Sequence, residues 1–238
     1  MKRSIVSFIL GVILTLSVVF AINSSLPAKA EPTPQIVYRD KIITKEVIKE
    51  VEKFTDLETV AKNVKNSCVM IYAYLPNGTT SQGSGVVVGD GSYIITAKHL
   101  IEQADTIDVF VDDSAHGVPG TVYYTDPKLD IAIIKADTGL PSVNLGDSDN
   151  LREGEKLVSI TSPQGAKNVV EECTFAGKLE TNTVVWLNIS DTITVGGSSG
   201  GAILNYGSRI IGMIFGGEEG VSQAIPVNNL KPILSKLK

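Results

Sequence analysis

The sequence has few of the residues that metal, redox and nucleic-acid sites require. Its 238 residues include only two cysteines and two histidines, and its formal net charge is −5. Two cysteines exclude a disulfide framework and a cysteine-rich zinc site, so we expect no metal and no cofactor. We expect Cys68 and Cys173, each beside β-type residues, to be separate buried thiols rather than a disulfide. With no basic face in the sequence, we expect no nucleic-acid partner.

Long, predominantly apolar runs without charge are also rare, and one lies at the N-terminus. Residues 4–22 carry no charge and follow the basic pair Lys2 and Arg3. A helix of this length nearly spans a hydrocarbon core of about 30 Å. The run exceeds a usual signal sequence, so we expect residues 1–22 to be an uncleaved signal anchor with the basic end cytoplasmic. The alternative is a signal peptide cleaved near Ala30, and either places the rest of the chain outside the cytoplasm.

Residues 23–54 are predicted to be a linker and a charged stalk. Three prolines interrupt residues 23–35, and residues 40–53 are rich in charge, with Ile43, Val47 and Val51 at helical spacing. A short helical stalk fits this pattern, and so do a solvated single helix and an extended spacer, because two heptads are marginal for a coiled coil. Self-association through the stalk or through the following domain stays open.

The remaining residues, 55–238, are predicted to form one domain composed mainly of strands. It starts with a short helix over 56–65, for which Thr55 and Glu58 form a capping box. A closing amphipathic helix over 228–238 is expected to cover a barrel end. Between the helices, short β-type runs separated by turn residues predict an all-β sandwich or a pair of barrels. The runs are 69–74, 85–88, 93–97, 106–111, 121–124, 131–135, 156–161, 173–179, 184–189, 201–204, 210–215 and 222–225.

Three polar residues at strand edges suggest acyl-transfer chemistry. Ser199 lies in the glycine-rich turn 197–201, where backbone N–H groups can stabilise an oxyanion. His99 follows the apolar run 93–97, and Asp130 precedes the run 131–135. Either residue alone is an ordinary strand-edge residue. Together, in the order His, Asp, Ser, they predict a nucleophile, a base and a carboxylate that orients the base.

Five ordered motifs make the chain resemble the HtrA/Deg-type trypsin-fold serine proteases over residues 56–238. The matching segments are the glycine-rich strand 83–88 with the following histidine segment 95–101, the segment 126–135 similar to D-P-x-x-D-L-A-V-I-K, the segment 146–154 similar to G-D-S-x-x-L-R-V-G, the turn 197–201 similar to G-N-S-G-G, and residues 223–226 similar to F-A-I-P. The resemblance implies two six-stranded antiparallel β-barrels with the active site in the cleft between them.

The resemblance also implies roles for individual residues. Ser199 would be the nucleophile, His99 the general base and then the general acid, and Asp130 the residue that fixes the histidine tautomer. The amides of Gly197 and Ser199 would form the oxyanion hole. A strand containing Met213, Ile214, Phe215 and Gly216 would pair with the substrate backbone. Ile193 and Thr194 would line the primary side-chain pocket; because neither is charged, we expect a small or medium apolar residue before the scissile bond.

Two departures from the family pattern affect these expectations. Ser198 replaces the asparagine next to the nucleophile, which could loosen the turn. The sequence stops twelve residues after Pro226, so we expect no PDZ domain and regulation through loops, the stalk or a separate partner.

The function expected from these features is an extracytoplasmic, membrane-anchored serine endopeptidase that acts on polypeptide substrates. The alternative is a trypsin-fold module that binds peptides without cleaving them. An α/β-hydrolase is excluded because its histidine would follow the serine. We assign no role to His116, which lies in a loop-like context.

Overall fold

The computed structural model describes residues 56–111, 116–181, 184–218 and 220–237, all of which lie in one compact unit. The predicted anchor over 1–22 and the predicted stalk over 23–54 lie outside the described residues. Within the described residues, no helix is both long enough and apolar enough to span a membrane.

Twelve β-strands and three α-helices account for most of the described residues. The strands are β1 Cys68–Tyr74, β2 Thr80–Val88, β3 Tyr93–Thr96, β4 Thr106–Phe110, β5 Val118–Thr125, β6 Ala132–Lys135, β7 Lys156–Thr161, β8 Val169–Glu180, β9 Val185–Ser190, β10 Ala202–Leu204, β11 Ile210–Glu218 and β12 Val221–Pro226. The helices are α1 Leu57–Val64, α2 Lys98–Ile101 and α3 Val227–Leu234.

The strands form two closed, antiparallel, six-stranded barrels. The first has the strand order β1-β2-β3-β6-β5-β4 and the second the order β10-β11-β12-β9-β8-β7. The predicted pair of barrels is therefore confirmed, and the sandwich alternative is wrong. Each of the twelve predicted β-type runs overlaps one strand, because turn residues and β-branched residues mark these short strands well.

Three apolar clusters fill the domain. One lies inside the first barrel and one inside the second, represented by Ile71 and by Leu187. The third joins residues of both barrels, such as Ile95 and Ile160, with Val60 of helix α1 and Leu230 of helix α3. The predicted closing helix is present, although it covers residues of both barrels. Because this shared core fixes the position of one barrel against the other, the loops that meet between the barrels are held at a defined distance from each other.

Two predictions about local structure have clear outcomes. The N-cap of helix α1 is Asp56 rather than Thr55, because the Asp56 side chain accepts the Thr59 N–H at 2.8 Å. A carboxylate at this position also interacts favourably with the helix dipole. Cys68 and Cys173 are both free and buried, as expected. Burial raises the pKa of each thiol to about 12.

Candidate active site

His99 and Asp130 are brought together by the pairing of strands β3 and β6. Thr96 pairs with Ala132, so the end of β3 lies beside the start of β6. His99, in helix α2, comes three residues after Thr96, and Asp130 comes two residues before Ala132. The His99 Nδ1 atom is 2.5 Å from Asp130 Oδ2, and the His99 backbone N–H donates to Asp130 Oδ1 at 2.8 Å. Two hydrogen bonds to one carboxylate fix the imidazole orientation.

The electrostatics of this pair favour an ionised carboxylate beside a basic imidazole. The hydrogen bond to Asp130 raises the pKa of His99, against the opposing effect of partial burial. Burial alone would raise the pKa of Asp130, but the hydrogen bonds from the His99 side chain and backbone outweigh it and lower that pKa. Asp130 is therefore a stable acceptor for the imidazole N–H, which directs the other ring nitrogen, Nε2, away from the carboxylate.

The turn that carries Ser199 depends on two glycines. Gly197 has φ +99° and Gly200 has φ +86°, both in the left-handed region. A Cβ atom at Gly197 would overlap the carbonyl oxygen of Ser162, and one at Gly200 would overlap that of Ser84. Glycine at both positions lets the turn pack directly on the backbone of neighbouring segments.

Residues 196–199, where the sequence predicts the oxyanion hole, are named the oxyanion turn here. All four of their carbonyl groups accept hydrogen bonds. The Gly196 carbonyl accepts the amide of Gln164 at 2.8 Å, and the Gly197 carbonyl accepts the hydroxyl of Ser84 at 2.7 Å. The Ser198 carbonyl accepts the amide of Gly201 at 3.0 Å, and the Ser199 carbonyl accepts the amide of Ser84 at 2.8 Å. In a planar trans peptide the N–H points opposite to the C=O. Holding the carbonyls of Gly196 and Ser198 therefore orients the N–H groups of Gly197 and Ser199, neither of which donates a hydrogen bond to a described residue.

Ser198 stabilises the same turn from within. Its hydroxyl donates to the Ile193 carbonyl at 3.1 Å and accepts the Val195 N–H at 3.4 Å, and its amide donates to the Val195 carbonyl at 3.0 Å. Ser198 is fully buried. The serine that replaces the family asparagine thus has its own set of hydrogen bonds.

The structure has no hydrogen bond between Ser199 and His99, both of which are described residues. The Ser199 Oγ donates to the Phe215 carbonyl at a long 3.5 Å. A Cβ atom at Gly83 would lie 3.1 Å from the Ser199 carbonyl oxygen and would overlap the side chain of Leu100 in helix α2, so the backbone of Ser199 approaches the helix that carries His99. The structure therefore joins two of the three predicted residues directly, and the third lies in a turn that approaches helix α2.

The four residues predicted for substrate pairing differ in exposure. Met213 and Ile214 are fully buried, Met213 in the core shared by the barrels and Ile214 inside the second barrel, whereas Phe215 and Gly216 are partly exposed. The pairing of β11 with β12 is irregular between Ile214 and Gly216, so Phe215 lies at a bulge. Strand β10 pairs with β11 only as far as Met213, and no described strand pairs with the outer edge of residues 215–218.

Of the two residues predicted for the side-chain pocket, Thr194 lies against strands β11 and β12. Ile193 is 50% exposed, whereas the Thr194 hydroxyl is hydrogen-bonded to the Ser222 hydroxyl. A Cβ atom at Gly217 would lie 3.0 Å from Thr194 Cγ2, so these two segments approach closely.

Sequence reasoning missed three residues that position the site. Ser84 and Gln164 hold the oxyanion turn, and Glu171 Oε2 accepts the Ile193 N–H at 3.2 Å and the Thr192 hydroxyl at 3.3 Å. Gln164 belongs to a Pro-Gln-Gly turn that the sequence does mark, but its partner is 32 residues away in the chain. Polar residues with distant partners carry no periodic signal.

Comparison with known proteins agrees with this architecture. The model of the trypsin-like peptidase domain family matches residues 83–213, more than half of the chain. The chain therefore belongs to the trypsin-like peptidase family. Within that family, its resemblance to the HtrA-type serine proteases is confirmed.

Sequence relatives support this assignment. A protein of Pseudomonas putida strain W619, named "Probable periplasmic serine endoprotease DegP-like", is 33% identical over 168 residues, which are 66% of this chain and 35% of that protein. A protein of Halomonas elongata with the same name is 32% identical, again over 66% of this chain and 35% of the relative. This chain thus spans about a third of the length of these curated relatives.

Two solved structures share the fold. The HtrA-type protease AlgW with a tripeptide has a TM-score of 0.68 at 23% identity, covering 76% of this chain and 62% of that one. The active form of the Rv3671c protease from M. tuberculosis has a TM-score of 0.67 at 19% identity, covering 74% of this chain and 83% of that one.

Proposed function

We propose that this chain is a serine endopeptidase that cleaves polypeptides through an acyl-enzyme. Ser199 Oγ attacks the scissile carbonyl, His99 accepts the serine proton and later returns it to the leaving amine, and Asp130 holds the imidazole. The observation that carries this proposal is the double hydrogen bond between His99 and Asp130, close to a serine turn with two unengaged amides. The missing His99–Ser199 hydrogen bond is compatible with it, because such bonds often tighten only when substrate binds.

The amides of Gly197 and Ser199 are the proposed oxyanion hole. Both N–H groups are without a partner among the described residues, while the carbonyls of the same turn are held. Donors that are already oriented stabilise the tetrahedral intermediate without a cost for reorganisation. Removing one such donor typically costs about 2.7–4 kcal/mol of transition-state stabilisation.

The proposed substrate is an extended polypeptide segment that pairs with the outer edge of β11. The outer edge of residues 215–218 pairs with no described strand, and it lies next to Ser199, whose hydroxyl donates to the Phe215 carbonyl. Main-chain pairing of this kind provides affinity without selecting a sequence, and side-chain pockets then provide specificity. The close approach of Thr194 and Gly217 favours a small or medium apolar residue before the scissile bond.

The proposed location is outside the cytoplasm, with a single-pass anchor over residues 1–22. The support is the uncharged run after Lys2 and Arg3 and the word "periplasmic" in the names of the relatives. Membrane fractionation combined with N-terminal sequencing of the mature protein tests the anchor. A soluble protein starting near residue 31 would contradict it.

The activity is tested with a fluorophosphonate probe, which labels only an activated serine. We expect labelling of the wild type and of Ser148→Ala, but not of Ser199→Ala. Ser148 is the matched control because it is also a buried serine but lies outside the turn, where its hydroxyl accepts the Asn228 N–H. If the folded wild type is not labelled between about pH 6 and pH 9, where the base should be competent, the chain is a peptide-binding module instead.

A further inference from the structure

The hydroxyl of Ser84 connects strand β2 of the first barrel to two segments of the second. Ser84 Oγ donates to the Gly197 carbonyl at 2.7 Å and accepts the Ser162 N–H at 2.8 Å. The side chain is buried, with 2% of its surface exposed. A buried hydroxyl that both donates and accepts is held in one orientation, and it therefore fixes the two groups that it joins.

Both partners of this hydroxyl belong to the support of the oxyanion turn. Gly197 is part of the turn itself. Ser162 precedes Gln164, whose amide holds the Gly196 carbonyl at 2.8 Å. The Ser84 amide also holds the Ser199 carbonyl at 2.8 Å. Ser84 thus contributes two of the four donors to the turn and braces the segment that supplies a third.

We propose that Ser84 is a positioning residue for the oxyanion hole, acting across the interface between the barrels. This inference rests on the proposed peptidase function. Without the hydroxyl, the Gly197 carbonyl and the Ser162 N–H lose their partner in a buried region. The Gly196–Gly197 peptide, which carries the Gly197 N–H, lies between two glycines and can rotate at low cost, which would present a carbonyl oxygen, rather than this N–H, to the substrate. The Ser84 hydroxyl restrains this peptide through both of its neighbours: it holds the next peptide of the turn by the Gly197 carbonyl, and it holds Ser162, two residues before the Gln164 amide that binds the Gly196 carbonyl.

The test compares Ser84→Ala with Ser148→Ala as a matched control. Ser148 is also buried, with 1% exposed, and its hydroxyl accepts the Asn228 N–H at 3.2 Å in a different region. We expect Ser84→Ala to lower kcat on an internally quenched peptide by about 10- to 100-fold, less than the roughly 10²- to 10³-fold loss of a whole oxyanion donor. KM should stay within about twofold, because ground-state binding does not use the hole. Ser148→Ala should keep the wild-type kcat.

A second measurement separates positioning from general destabilisation. A peptide aldehyde forms a hemiacetal whose oxygen occupies the oxyanion hole, so its inhibition constant should weaken by about the same factor as kcat/KM. Binding of an uncleaved peptide in a Ser199→Ala background should be unchanged by Ser84→Ala. Ser84→Cys fills the space of the hydroxyl with a weak donor and should also lose kcat, which covers the case in which Ser84→Ala does not fold.

Three outcomes would overturn the inference. They are a folded Ser84→Ala or Ser84→Cys with wild-type kcat, a loss confined to KM, and an equal loss in Ser148→Ala. These outcomes leave the wild type active and Ser199 labelled by the probe. Failure of the proposed function is distinguishable, since in that case the wild type itself is neither active nor labelled.

Discussion

The Asp130 carboxylate forms two hydrogen bonds with His99. Its Oδ2 atom lies 2.5 Å from the ring atom Nδ1, and its Oδ1 atom accepts the backbone N–H at 2.8 Å. One carboxylate oxygen fixes the start of helix α2, and the other fixes the ring that projects from it. The orientation of the imidazole is thus coupled to the junction between β3 and α2.

Asp130→Asn should lower kcat by roughly 10⁴-fold at neutral pH, since an amide can donate to Nδ1 and stabilise the wrong tautomer. The hydrogen bond from the His99 backbone N–H to the Oδ1 atom of residue 130 can persist in this variant, so the fold should remain intact. The measurement is hydrolysis of an internally quenched peptide, with circular dichroism to verify folding. Asp126→Asn is the control, because Asp126 lies in the same loop but accepts the N–H groups of Lys128 and Leu129 instead. A similar loss in both variants would mean that the loop, and not the carboxylate beside His99, matters.

The pH profile of kcat/KM should show a loss of activity on the acid side. His99 acts as a base only when neutral, and its pKa is raised by the hydrogen bond to Asp130. Activity should therefore fall as the pH drops through a value above the ordinary histidine pKa of about 6.5. Asp130→Asn should move the midpoint of its residual activity to lower pH, because the bond that raises the pKa is lost. An unshifted midpoint would show that the pair does not control the titration.

Gly200→Ala should destabilise the fold much more than Gly139→Ala. Both glycines have positive φ, +86° and +67°, so alanine carries a conformational penalty of about 1–2 kcal/mol at either position. At Gly139 no atom lies within 4 Å of the new methyl group, whereas at Gly200 the methyl overlaps the Ser84 carbonyl. Overpacking of this kind typically adds about 1–3 kcal/mol. Urea unfolding measures the difference, and equal losses would contradict the close packing at Gly200.

Both cysteines should resist thiol reagents in the native protein. Burial raises the pKa of Cys68 and of Cys173 to about 12, so almost no thiolate forms at neutral pH. We expect both thiols to react with Ellman's reagent only after unfolding in guanidinium, with two equivalents released. Rapid reaction of one thiol equivalent in the native protein would show that one of the two cysteines becomes accessible without unfolding.

Cleavage should occur after small or medium apolar residues, and Thr194→Ala should extend the preference to larger ones. The Thr194 methyl lies 3.0 Å from the position of a Cβ at Gly217, so it limits the width between the two segments. For leucine or phenylalanine before the scissile bond, removal of the methyl should raise kcat/KM by about 10-fold or more relative to alanine. Peptide-library profiling is the readout. A wild-type profile dominated by Lys, Arg, Asp or Glu would refute the assigned pocket.

The strands and the residues with catalytic potential could be predicted from the amino-acid order alone. β-Branched residues and turn signals define the strand runs, and glycines at 197 and 200 are needed wherever that turn forms. His99 and Asp130 could be predicted as a functional pair from their order in the chain and from the resemblance to the HtrA-type proteases, whereas their contact depends on the pairing of β3 with β6. Local conformational preference and side-chain periodicity are encoded within a few residues and do not depend on how the barrels pack.

The hydrogen bonds that hold the oxyanion turn, in contrast, depend on the packing of the two barrels. Ser84 is 113 residues from Gly197 in the chain, and their hydrogen bond exists because a shared apolar core packs the barrels together. The same packing buries Met213, and the β11 edge at 215–218 stays unpaired among the described strands. A polar contact between distant segments leaves no pattern in the sequence, because its geometry is fixed by the close packing of many other side chains.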